Sequence, residues 1–119
     1  MKILVTGGAG FIGSAIIPVF KDRGFEISVI DDLSFGKREF INIDDENFFQ
    51  IDIRNREAII NAVKRIDPDV VIHLAAVHFI PYCNEHPFES ADINIRGTIN
   101  LLDGQIISEK ANKIKQAVI

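Results

Sequence analysis

Residues 2–24 read KILVTGGAGFIGSAIIPVFKDRG, and the pattern changes period partway through. Residues 2–6 are an apolar, β-branched run bounded by glycine, the mark of a strand buried on both faces. Beyond the glycines, Ile12, Ala15, Ile16, Val19 and Phe20 fall at i, i+3, i+4, i+7 and i+8, the spacing of a helix packed along one side. Gly24 after Arg23 reads as the C-cap of that helix. A strand therefore hands over to a helix through Gly7, Gly8, Gly10 and Gly13.

The rest of the chain repeats the alternation. FEISVIDD predicts a second strand ending at Asp31, and NFFQIDI a third ending near Asp52, with a polar loop over residues 34–46 between them. Ile59, Ala62, Val63 and Ile66 carry a second helical stripe closed by DPD, and DVVIHLAA is a fourth strand. Residues 88–110 predict a longer helix after Pro87. Ile95, Ile99, Leu102 and Ile106 make one apolar stripe on it, and Ile93, Gly97, Leu101 and Gly104 another roughly opposite. KQAVI begins a fifth strand. Strands alternating with helices define an α/β fold with a doubly wound parallel sheet, here a single dinucleotide-binding domain over residues 1–119 with expected strand order 3-2-1-4-5.

Bulk properties narrow the function. At 119 residues the chain has room for one core, and 47% hydrophobic with 25% charged residues is an ordinary globular composition. A net charge of −4 with no basic run argues against a nucleic-acid partner. No apolar run approaches the ~20 residues of a membrane span, and the one cysteine, Cys83, forms no intrachain disulfide. A soluble cytoplasmic protein is the expectation. Cys83, His78 and His86 lack metal-ligand spacing, so no metal site is assigned.

The chemistry concentrates at the glycines. Gly7, Gly10 and Gly13 form G-x-x-G-x-x-G, in which the first glycine permits a tight turn, the second lets a diphosphate approach the backbone, and the third allows close packing of helix on strand. The free amides and positive end of the helix then hold the phosphates. Glycines alone are also compatible with a turn that binds nothing. Asp31 adds a carboxylate at the end of the second strand, placed to accept hydrogen bonds from ribose hydroxyls and to repel a 2′-phosphate, which favours NAD over NADP. Lys37 and Arg38 leave the 2′-phosphate reading open.

Read in order, the glycine turn, IDDLSFGK, QIDIRN, HLAA and NIRGTINLL resemble the extended short-chain dehydrogenase/reductase family in its NAD-dependent epimerase/dehydratase branch, over essentially the whole chain. The resemblance implies that Phe11 and Ile12 lie at the diphosphate, and that Asp31, Asp32, Leu33, Ser34 and Gly36 line the adenosine ribose end. It implies that Asp52 and Ile53 contact adenine, that Leu74, Ala75 and Ala76 run beneath the nicotinamide-side ribose, and that Asn94 reaches the cofactor from the long helix. His78 stands where some members carry a lysine near the phosphates, either as a cofactor or substrate contact or as an ordinary polar loop residue. His73 belongs to strand packing.

The family's chemistry uses a Tyr-x-x-x-Lys pair with a Ser or Thr, the cofactor taking the hydride. Here the one tyrosine, Tyr82, is followed four places on by His86, so no catalytic residue is assigned. The expectation is the NAD-binding portion of a nucleotide-sugar epimerase or dehydratase, truncated after the fifth strand and inactive alone. The alternative is a non-catalytic binding or regulatory module acting as an oligomer. An apolar face over residues 93–104, with Leu101 at its centre, is expected to be exposed and to serve as the oligomer contact.

Overall fold

The structure is a computed structural model that describes residues 1–107 and 115–118, the last four as backbone. Five strands, β1 (Lys2–Thr6), β2 (Glu26–Ile30), β3 (Phe48–Phe49), β4 (Val70–His73) and β5 (Lys115–Val118), form one parallel sheet in the order β3-β2-β1-β4-β5. This is the doubly wound arrangement the alternation predicts. Residues alternate between the faces of β1, so Ile3 and Val5 join one buried cluster while Leu4 joins another. The first cluster is closed by Ile17 of helix α1 (Phe11–Asp22) and the second by Ile59, Val63 and Ile66 of α2 (Arg56–Ile66).

Rotation of α1 differs from the predicted stripe. Gly13 and Ile17 are buried with Ile16 and Phe20 half-buried, whereas Ile12, Ala15 and Val19 are exposed. Apolar residues stand on most sides of this helix, so their spacing permits more than one rotation. The choice is made by Gly13, where an added Cβ would sit 2.4 Å from the Gly8 carbonyl. Only the rotation that turns this bare face toward the turn avoids that clash. The helix ends at Gly24, φ +83°, whose N–H bonds to Lys21 O while Phe25 N–H reaches Phe20 O, the paired bonds of a Schellman cap. In α2 the predicted stripe of Ile59, Ala62, Val63 and Ile66 is the buried one.

Two predicted strands are shorter in the structure. β3 keeps only two residues because the Asp52 carboxylate and carbonyl take the N–H groups of Arg54 and Asn55, a local turn that competes with the sheet. β4 stops at His73, beyond which the Leu74 N–H is shared between the Thr6 carbonyl and hydroxyl and the Ala75 N–H turns to the hydroxyl. Both departures lift chain away from the C-terminal edge of the sheet, where a ligand cleft is expected in this architecture.

The long helical region runs as α3 (Ile80–Glu85), then α4 (Pro87–Ala91), a π turn at Asp92–Arg96 and α5 (Gly97–Ile107). The predicted end at 108–110 lies outside the described residues. Its two apolar faces are the reverse of the expectation: Leu101 is 0% exposed, and Gly97 and Gly104 let the helix lie against Ile53 and Val63, while Ile95, Ile99 and Ile106 are exposed. α2 and the loop before it occupy the Leu101 face, and among the described residues the isoleucine face is uncovered. Leu101→Ala should therefore cost about 2–5 kcal/mol in urea unfolding, whereas Ile99→Ala, at 51% exposure, should change stability by less than about 1 kcal/mol.

Candidate functional site

The strand order reverses between β1 and β4, and a cleft of about 360 Å³ opens there. That volume is within the usual range of small-molecule sites. Gly7 forms its floor with φ +70°, and a Cβ there would meet the Ala75 nitrogen at 2.7 Å. The turn can thus approach the strand β4 exit only as glycine. At Gly10, which leads into α1, an added Cβ would meet only the Gly7 carbonyl, at 3.3 Å, and otherwise enter open space. The amides opening α1 therefore face a cradle that any side chain at position 10 would begin to fill, a shape that fits a diphosphate. Close approach to β2 falls to Gly8, not Gly13: a Cβ on Gly8 would meet Val29 at 2.8 Å.

Asp31 fastens this turn. Its Oδ2 accepts the Ala9 N–H at 2.9 Å and its Oδ1 the Leu33 N–H at 2.8 Å, with the residue 9% exposed. Burial pushes the carboxyl above its ordinary value of 3.8, with the two N–H bonds opposing that rise. Leu33 pays for its bond with a left-handed backbone, φ +64°. Asp32 accepts the Ser34 N–H, and Gly36 brings the loop after β2 down on the Ala9 carbonyl, where a Cβ would lie at 2.4 Å.

Of the residues expected at the cofactor, Gly7, Gly10, Phe11, Ile12, Gly13, Asp31, Asp32, Ser34, Gly36, Asp52, Ile53, Leu74, Ala75, Ala76 and His78 all line the cleft. Leu33 and Asn94 do not. Leu33 packs on the core beneath the loop, and Asn94 spends both ends of its amide on one residue, Oδ1 accepting the Val77 N–H at 2.7 Å and Nδ2 donating to the Val77 carbonyl at 2.8 Å. Its place is in the π turn, holding the loop after β4. Sequence reasoning missed Ile30, Ile51, Ile93, Phe35, Val77 and Phe79, which also line the cleft. Ile51 and Ile53 alternate around Asp52, a signal that was available; Phe35 and Phe79 sit in loops with no period to reveal them.

Charge in the cleft is divided. Asp31, Asp32 and Asp52 gather toward β2 and β3, and His78 is the one basic side chain among the lining residues. Arg38 is committed to its own loop, donating to Ile41 O, Ile43 O and Asp45 while lying over the Phe48 ring. Asp52 accepts the Arg54 fork, which holds its carboxyl below the ordinary value.

His73 does more than pack. Thr6 Oγ1 accepts from Leu74 and Ala75, which directs its own proton to His73 Nδ1 at 2.6 Å. Thr98 donates to Asn94 O, so its hydroxyl oxygen accepts from His73 Nε2 at 2.9 Å. The ring is neutral with its proton on Nε2, and burial lowers its pKa.

A parallel sheet with a glycine turn at its switch point and carboxylates on the next strand defines a Rossmann-type nucleotide-binding fold. The profile of the NAD dependent epimerase/dehydratase family matches residues 3–112, and the chain belongs to that family. A putative UDP-glucose 4-epimerase of Methanocaldococcus jannaschii is 40% identical over 101 residues, covering 85% of this chain and 32% of that protein. The Thermus thermophilus UDP-glucose 4-epimerase in complex with NAD superposes with a TM-score of 0.81 at 39% identity, over 87% of this chain and 33% of its own. The Thermotoga maritima UDP-glucose 4-epimerase with UDP-glucose gives 0.82 at 37%, over 89% and 34%. The chain thus spans about a third of the length of these relatives.

The raised Asp31 carboxyl has a measurable sign. The folded chain keeps this proton to higher pH than the unfolded chain, so its contribution is fully present below about pH 3.8 and is lost as pH rises through the higher folded value. Asp31→Asn should flatten that part of the urea-stability profile between pH 4 and 7. It should also lower stability overall by about 1–3 kcal/mol, because an amide cannot accept at both ends.

Proposed function

We propose that this chain binds NAD(H) as the cofactor-holding part of a nucleotide-sugar epimerase or dehydratase. The observation that carries the reading is the cradle at Gly10 facing the cleft, with Asp31 fastened to the neighbouring Ala9 and Asp32 lining the same cleft. The α1 amides hold the diphosphate, and the carboxylates after β2 accept the adenosine ribose hydroxyls and disfavour a 2′-phosphate. Occupation of Arg38 by its own loop supports NAD over NADP. When bound, NAD supplies reversible hydride acceptance. Leu74, Ala75 and Ala76 leave room beneath the ring that carries it, and His78 lies beside the cleft as its basic group.

Within the 119 residues, Tyr82 and His86 do not make a Tyr-x-x-x-Lys pair, so a proton acceptor for a sugar hydroxyl is not assigned to this stretch. The activity proposed for these residues alone is cofactor binding, as one domain. In titration calorimetry NAD should bind and raise the melting temperature, and NADP should bind at least about ten-fold more weakly. Gly10→Val should abolish binding while shifting the melting temperature by no more than about 4 °C, since its backbone is already extended and its added atoms point into the cleft. Absence of NAD binding at millimolar concentration would sink the reading.

A second reading, an oligomeric binding module, is favoured by the uncovered stripe of Phe88, Ile95, Ile99 and Ile106 on the α4–α5 helical region. A second copy of the chain covering this stripe makes a homodimer. Light scattering after size-exclusion chromatography should then report twice the chain mass, and Ile99→Glu should return it to one. A parent chain that is already monomeric at about 100 μM would remove this reading and leave the first intact.

A further inference from the structure

Resting on the NAD reading above, we propose that Arg54 is a positioning residue that sets base preference: by fixing the Asp52 carboxylate as an acceptor at the rim of an apolar slot, it selects a purine with a 6-amino group over one with a 6-oxo group. The slot is walled by Ile30, Ile51, Ile53 and Ile93, a surface suited to a flat ring, and Asp52 is the polar group set among them. A carboxylate on an exposed loop ordinarily turns freely. This one does not.

The Arg54 backbone N–H reaches Oδ1 at 2.9 Å; Nε reaches Oδ1 at 3.0 Å and Oδ2 at 3.1 Å; Nη2 reaches Oδ2 at 2.6 Å. The guanidinium takes one edge of the carboxylate and the Arg54 N–H fills Oδ1, so with Nε shared between the oxygens one Oδ2 lone pair is left for the cleft. Arg54 is itself held. Asn100, 3% exposed, donates to the carbonyls of Ile53 and Arg54 at 3.0 and 3.1 Å, and Glu89 of α4 lies 3.9 Å from Nη1. An acceptor that cannot rotate welcomes an exocyclic amine and opposes an exocyclic oxygen, which leaves two acceptors facing one another. The charged groups that act on Asp52 are Arg54 on its own loop and Arg96 of the π turn, while Glu89 of α4 and Asp92 of the π turn act on Arg54. Among them the Arg54 fork is the largest influence holding the carboxyl low, and burial opposes it.

The test compares NAD with its deaminated analogue, nicotinamide hypoxanthine dinucleotide, by titration calorimetry on the 119-residue chain. The parent should prefer NAD by about ten-fold or more. Arg54→Met should bring the ratio under about three-fold with both dinucleotides still bound, and Arg54→Lys, whose ammonium cannot fork, should fall between. A pH series separates positioning from simple loss of structure. As pH falls from 7.5 toward about 3.5, the ratio should decline toward one at a higher pH in Arg54→Met than in the parent, because the released carboxyl gains its proton first. A parent ratio of one overturns the proposal, as does an Arg54→Met protein with the parent's ratio. If Arg54→Met does not fold, Arg54→Lys decides, an unchanged ratio overturning it. Failure of either dinucleotide to bind the parent overturns the NAD reading itself, an outcome distinct from NAD binding without base preference.

Discussion

The cleft depends on one buried carboxylate. Asp31 ties together two pieces of backbone, the N–H of Ala9 in the glycine turn and the N–H of Leu33 beyond β2. A second link runs beside it, the Lys37 N–H donating to the Ala9 carbonyl at 3.2 Å. Around these ties Gly36 settles on Ala9, and the β2 side of the cleft is closed from below. Burial works against the charge, and the two short N–H bonds offset it only in part, since the carboxyl remains above its ordinary value.

The opposite wall is held by a chain of neutral groups. From the amides of Leu74 and Ala75 the hydrogen bonds run through Thr6, His73 and Thr98 to the carbonyl of Asn94, with Thr6 accepting twice and donating once, His73 accepting at Nδ1 and donating at Nε2, and Thr98 accepting and donating once. Such a chain is satisfied in a single proton arrangement and is intolerant of an unpaired member. It ties the exit of β4 to the long helix, so that the two walls of the cleft are set by different chemistry: an anion on one side, a neutral relay on the other.

Much of this was legible in the sequence because glycines and alternation leave a plain trace. The turn, the sheet order, the α2 stripe and most of the cleft followed from Gly7, Gly10, Gly13, the strand-end aspartates and HLAA. What escaped depended on which of two equivalent surfaces tertiary packing would take. α1 carries apolar residues on several sides, and its rotation was settled by Gly13 against Gly8. The long helix has two apolar faces, and small residues at Gly97 and Gly104 decided that the Leu101 face would go inward, since only there can α2 approach closely. Asn94 looked like a ligand-facing amide, yet its side chain matches both polar groups of Val77. No pattern along the chain announces a partner seventeen residues away.

The π turn at Asp92–Arg96 acts on the long helix as a vernier. One residue more than an α-helix needs is inserted within a single turn, so the α4 half and the α5 half are indexed to different neighbours, the first through Asn94 to the loop after β4 and the second through Gly97 and Gly104 to Ile53 and Val63. Wound as regular α-helix, the same residues downstream would be turned by about 100°, and Leu101 would leave the core. The helix therefore carries its phase in a local irregularity, and the chain can revise one half of the cleft wall without renegotiating the other.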